Sequence, residues 1–269
     1  MENLRELFGI DIRRGGMADF KTRIHNMYTP TYERLKRQLL RSDVLVVDEA
    51  KMKMKDVNGY AWVFANSSFV IFIFKETRDG DFLHKFLRGF KGVLVSDFYA
   101  AYDSIPCAQQ KCLIHLMRDL NDDVTKNPFD EDLKKITRAF TVVLRATVAT
   151  IDEHGLKRVK LNKHKPAATE FFKSVVESEF SSEIAKKYQK RFAKNKDKLF
   201  TFLNYNNVPW NSNAAEHAIK HLARLRKRGM ASFTKKRVGE YMQLISIYKT
   251  CEYRDISFLR FLLSGKKTL

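Results

Sequence analysis

Two short runs constrain this chain more than any other feature. Val44-Leu45-Val46-Val47 and Val93-Leu94-Val95-Ser96 are continuous and rich in β-branched residues, and they end at Asp48 and Asp97. An unbroken apolar run of this length reads as a strand buried on both faces, not as a half-exposed strand with alternating polarity. Between them, Asn58-Gly59 signals a turn, YAWVFA (60–65) reads as a second strand, and FVIFIF (69–74) as a third. Asp79 suits the N-cap of a helix through DFLHKFLRGF, which Gly89 or Gly92 would stop. Tyr99 to Tyr102 make a short helical turn, and KCLIHL (111–116) reads as a strand end running into a helix. The order β-β-β-α-β-α-β-α predicts a mixed α/β sheet.

Around this sheet the pattern is helical. Residues 1–42 carry apolar residues at helical spacing, with a break expected at Gly15-Gly16 and Pro30 near a helix start. Residues 119–203 read as lysine-rich amphipathic helices. NYNNVPWNSN (204–213) is a polar loop, AAEHAIKHLARLRKR (214–228) a helix, and the rest helices again.

Composition excludes several classes. At 44% hydrophobic with 21 Phe, a chain of 269 residues can bury a core and is not disordered. FVIFIF is the longest clean apolar run, far below the roughly 20 residues that span a bilayer, so no membrane association is expected. No apolar segment opens the sequence, so no signal peptide is expected. Cys107, Cys112 and Cys251 are odd in number and scattered, which argues for a reducing cytoplasm and against a disulfide framework. Charge is lopsided. Residues 1–156 hold 24 basic and 22 acidic residues, whereas residues 157–269 hold 26 and 9. A strongly basic half points to a polyanion, with nucleic acid the expected partner.

Asp48 and Asp97 sit at the carboxyl ends of strands, where α/β sheets gather their ligands. In a ribonuclease-H-like sheet the first and fourth strands are neighbours, which would bring the two carboxylates together. Such a pair repels unless a cation binds between them, and hard oxygen donors suit Mg²⁺ or Mn²⁺. Glu216 is the candidate third acid. Asn213 can cap its helix, with Glu216 three residues on in the capping-box relation. Taken singly, each of these acids also reads as an ordinary surface or capping residue.

The ordered motifs go further. SDVLVVDEA (42–50), GYAWVF (59–64), FKGVLVSDFYAAYD (90–103), CLIHLMRDL (112–120) and SNAAEHAIKHLARLRKRG (212–229) resemble the insertion-sequence-66 family of bacterial DDE transposases. The resemblance implies a ribonuclease-H-like mixed five-stranded sheet with a helical insertion and C-terminal helices. It implies Asp48, Asp97 and Glu216 as the catalytic, metal-holding triad, with Mg²⁺ or Mn²⁺ as cofactor. The chain then divides into a helical lead-in (1–42), the first part of the core (43–126), a helical insertion (127–211) and the glutamate helix with basic C-terminal helices (212–269). Ala50, Phe98, Ser212 and His217 depart from the family's pattern, and the helix-turn-helix and zinc-binding regions of full-length members are missing, so a core-only or truncated copy is expected.

The function expected is metal-dependent DNA cleavage and strand transfer in transposition. Element-end and target DNA would be the partners, and a homo-oligomer would assemble on DNA in the cytoplasm, at the nucleoid. Lys220, Arg224, Arg226, Lys227, Arg228, Lys235, Lys236 and Arg237 would hold the phosphate backbone. His115, at C-x-x-H spacing from Cys112, is a supporting residue near the acids, with Asn213. A zinc site would need two more ligands, and His217 and His221 lack the HExxH context. Trp62 reads as core; Trp210 can pack or stack on a base. Two alternatives stand: a decayed transposase acting only as a DNA-binding module, and a structural helical protein with a soluble basic face.

Overall fold

The apolar runs form one five-stranded sheet in the order β3-β2-β1-β4-β5. The computed structural model describes residues 14–53, 58–227 and 234–269. Strand β1 (Val44–Lys53) pairs in parallel with β4 (Val93–Ser96), and β4 in parallel with β5 (Ala108–Lys111). Strand β2 (Asn58–Ala65) runs antiparallel to β3 (Val70–Lys75). This is the mixed α/β sheet expected, with the first and fourth strands as neighbours. Among the described residues, no helix is long and apolar enough to cross a membrane.

Four local expectations differ. Strand β1 does not end at Asp48 but runs on through it to Lys53, so this acid lies inside a strand and not at its carboxyl end. Asn58 and Gly59 lie inside β2 instead of forming a turn. A Cβ on Gly59 would meet the Phe74 ring and the Lys75 carbonyl on β3, so the glycine serves close strand approach. Gly15, Gly16 and Pro30 all lie within one helix, α1 (Arg14–Leu40), in place of a break and a start; tertiary packing overrides their weak propensity. Strand β5 covers Ala108–Lys111, ahead of the expected apolar stretch at 111–116. Its polar side chains are buried with their amide donors bonded: Gln109 Nε2 donates to the Tyr102 carbonyl (2.7 Å) and Gln110 Nε2 to the Leu199 carbonyl (2.8 Å). A pattern of apolar spacing cannot register such a strand.

The chain forms two compact units. The first comprises residues 1–41, 48–78 and 214–269. It contains α1, β2, β3, α10 (Lys235–Tyr253), α11 (Phe258–Leu263) and nearly all of α9, the helix over Asn213–Lys227. Trp62, Phe64, Phe72, Leu35 and Met242 are buried in its core. Helix α10 lies against both β3 and α1. Strand β3 is a sheet edge, yet its outward backbone groups at Val70 and Phe72 are bonded. Phe72 N–H donates to Ser246 Oγ (2.8 Å), and the Phe72 carbonyl accepts from Tyr32 Oη (2.9 Å). Val70 N–H donates to Thr250 Oγ1 (3.1 Å), which donates back to the Val70 carbonyl (3.2 Å). Ser246 and Thr250 are one turn apart on α10, so a single helix face replaces a neighbouring strand.

The second unit comprises residues 42–47 and 79–213. Asp79 caps α2 (Gly80–Phe86), accepting from Phe82 N–H (3.1 Å), as expected from the sequence. Then follow β4, β5, α3 (Leu113–Lys126), α4 (Glu131–His154), α5 (Arg158–Leu161), α6 (Lys165–Val176), α7 (Glu183–Lys194) and α8 (Lys196–Leu199). The helical part has an aromatic core. Phe140, Phe171 and Phe192 form a triangle of rings, 5.0 to 5.7 Å between centres, and Phe200 lies 6.4 Å from both Phe140 and Phe171. Lys111 is fully buried and pairs with Asp103 at 3.0 Å. Lys198 reaches the same carboxyl group at 2.9 Å. Burial would raise the Asp103 carboxyl, but hydrogen bonds from Lys198 and Lys111 hold it down at about 2.

Two consequences are testable. Replacing Ser246 by Ala leaves the buried Phe72 N–H without an acceptor, so stability should fall by about 1–3 kcal/mol, read as a lowered urea midpoint at unchanged slope. Asp103 has a depressed pKa, so its contribution is complete above the ordinary value of 3.8 and is lost as pH falls towards about 2. Asp103→Asn should therefore flatten the dependence of stability on pH across that window, measured by thermal unfolding.

Candidate active site and nucleic-acid interface

Asp97 is the first residue beyond β4. Its Oδ1 accepts from Tyr99 N–H (2.9 Å), which turns the carboxylate back over its own loop. Asp48 lies in β1 directly after the paired residues Val44–Val46 and Val47, and its Oδ1 accepts from Glu49 N–H (2.9 Å). Glu49 in turn takes Arg78, whose Nε donates at 2.7 Å. Glu216 stands in the first turn of α9 and is half-buried. Tyr253 Oη donates to the Ala214 carbonyl (3.1 Å), which ties the start of α9 to α10 within the first unit. Asp48 and Glu216 belong to the first unit; Asp97, His115 and Asn213 belong to the second.

Within the second unit a cluster forms where β4 and β5 end. Cys112 N–H donates to the Ser96 carbonyl (2.7 Å), so Cys112 sits beside the strand end that carries Asp97. Its sulfur accepts from both the N–H and the Oγ of Ser212, each at 3.2 Å. Leu113 N–H donates to the Trp210 carbonyl (2.9 Å). The polar loop 204–213 is thus fastened to the first turn of α3 just before α9 begins. Trp210 contributes its backbone to this fastening, and Trp62 is fully buried. Burial alone would push the Cys112 thiol up, but hydrogen bonds from His115 and Ser212 outweigh it and hold it below the ordinary thiol range. His115 therefore acts on Cys112 in this unit.

Asn213 is the first residue of α9, and its N–H is taken by Asn211 Oδ1 (3.1 Å). Two further residues belong to the cluster, Lys111 and Ser212. Lys111 Nζ lies 3.4 Å from Ser96 Oγ, and the Asp97 charge acts on it. A lysine inside a strand was the signal available in the sequence. Ser212 had only its place beside the glutamate motif.

Of the expected DNA-binding residues, Lys220 is exposed on α9, and Arg224, Arg226 and Lys227 occupy the last turns of that helix. Lys235, Lys236 and Arg237 open α10. Lys235 pairs with Glu76, which offsets part of its charge. Arg228 lies outside the described residues.

Removing the Cys112 sulfur orphans two donors of Ser212. Cys112→Ala should cost about 1–3 kcal/mol in a denaturation midpoint, and Cys112→Ser, which keeps an acceptor, should cost less.

Comparison with curated proteins returns no match. A family profile does match, over residues 1–239, a span that holds Asp48, Asp97, Glu216 and both basic stretches. On that match the chain belongs to the Transposase IS66 family.

Proposed function

We propose that this chain is the catalytic core of a transposase that cleaves element-end DNA and joins the exposed 3′-OH to target DNA. Family membership supports transposase function, and with it DNA as the partner. The finer reading assigns Asp48, Asp97 and Glu216 as the acidic triad. The observation that carries it is the register of the central ladder. Val44 faces Val93 and Val46 faces Val95, and 93 minus 44 and 97 minus 48 are both 49. Asp97 follows β4 directly, at its carboxyl end, while Asp48 lies within β1, two residues beyond the paired Val46.

The donor set fits a divalent cation. All three groups are carboxylates, hard oxygen donors that match Mg²⁺ or Mn²⁺ better than zinc. When bound, such ions clamp the scissile phosphate and ease deprotonation of the attacking water or hydroxyl. The chain supplies orientation. Tyr99 N–H fixes one oxygen of Asp97, and Glu49 N–H fixes one oxygen of Asp48. The loop that precedes α9 is fastened at Ser212 to Cys112. The basic stretches of α9 and α10, from Lys220 to Arg237, hold the phosphate backbone, as a homo-oligomer assembled on DNA at the nucleoid would require.

A DNA-binding module without cleavage is the competing reading, motivated by the changed neighbours Ala50, Phe98, Ser212 and His217. The test is Mg²⁺-dependent nicking and joining of DNA carrying the element's inverted repeats. Asp97→Asn keeps the side-chain volume and removes one charged ligand. Cleavage should disappear while DNA affinity is retained or slightly raised, because one negative charge beside the phosphate is gone. Wild-type nicking rates in the Asn variant would remove Asp97 from the site, and a wild-type chain that binds but never cuts would favour the binding module.

A further inference from the structure

We propose that α7 presents a phosphate-binding face beside Asp97, which takes the sugar–phosphate backbone of a DNA strand. The proposal rests on the reading that Asp97 acts on DNA. Phe98 directly follows Asp97, and the Arg191 guanidinium lies over its ring, 4.1 Å from the centroid. Arg191 Nη1 also donates to Asp119 Oδ2 on α3, at 2.7 Å. One side chain thus braces α7 against both α3 and the Asp97 loop, through a stacked and an ionic contact.

Phe98, Asp103, Lys190, Arg191, Lys194 and Asn195 line a common pocket there. Its charge is unbalanced. Asp103 is the acid in that lining, and it already holds the buried Lys111 at 3.0 Å. Lys198 and Lys194 reach the same carboxyl group at 2.9 and 3.5 Å. One carboxylate facing three ammonium groups leaves two positive charges over. Lys190 adds another, and its side chain is exposed. The Lys194 side chain is 69% exposed, so it too can meet a ligand from solvent.

The C-terminal end of a helix disfavours anions, but here the Arg191 carbonyl is taken by Asn195 Nδ2 at 2.8 Å. Lys190 and Lys194 stand one helical turn apart, about 5–6 Å between Cβ atoms, a row of cations that tracks a strand and not a single small anion. A purely structural role would need one cation for Asp103, not three.

The test is a salt series of duplex-DNA binding by the full chain. Replacing both Lys190 and Lys194 by Gln should lower the slope of log affinity against log salt by about 1.8, close to 0.9 for each phosphate contact. The double Arg variant should keep the wild-type slope. Lys190→Gln alone, which leaves the Asp103 cluster intact, should lower it by about 0.9. A wild-type slope in the single and double Gln variants overturns the proposal. So does loss of slope in the Arg variant. Unchanged slopes alongside intact Mg²⁺-dependent nicking sink only the α7 face. Lowered slopes in a chain that never nicks sink the catalytic reading and leave the α7 face standing.

Discussion

The parallel pairing of β1 with β4 sets the terms for the rest of the chain. Two parallel strands cannot be closed by a tight turn, so the chain must leave the first strand and return to the same end before starting the second. Here the return is made by β2, β3 and α2. That detour places a meander on one side of β1 and leaves the other side for β4 and β5. Val93 N–H bonds to the Asp43 carbonyl at 2.8 Å, and a Cβ on Gly92 would stand about as close to that same oxygen. The ladder therefore begins with no room for a side chain at Gly92, which pins the register on which the two aspartates depend.

Much of this was legible beforehand, for definite reasons. Val44–Val47 and Val93–Ser96 could be read as central strands because an apolar run bounded by turns has few other uses. Asp79 could be read as a cap because its side chain acts within one turn of its own residue. Strand β5 could not be read, because Gln109, Gln110 and Lys111 are buried through bonds to residues such as Tyr102, Leu199 and Asp103. The continuity of α1 through Gly15, Gly16 and Pro30 was hidden likewise, since its support comes from α10 and β3. Acids at strand ends are visible from chemistry alone. The bond from Ser212 to Cys112 spans a hundred residues and is visible only once the chain has folded.

Buried polar groups in the second unit recur as linked sets. Lys111, Asp103 and Lys198 form one, and Cys112, Ser212 and His115 another. Both adjoin the end of β4, through Ser96 Oγ and the Ser96 carbonyl respectively. A buried charge or donor is costly unless it is satisfied, so these sets hold the strand end in one arrangement. The aromatic packing of Phe140, Phe171 and Phe192 gives the helices behind it a separate source of order.

Strand β3 meets hydroxyl groups where another strand would otherwise lie. At the opposite border, Thr201 donates to the Gln109 carbonyl at 2.6 Å, and Gln110 accepts from Phe202 N–H at 3.0 Å. Towards other polypeptides the β3 edge is therefore closed at these positions. A foreign extended segment finds no open row of amides at Val70 and Phe72 to copy, and neither does a second copy of the chain. Backbone templating accepts almost any sequence, and at these positions it is closed off by two hydroxyl groups of one helix.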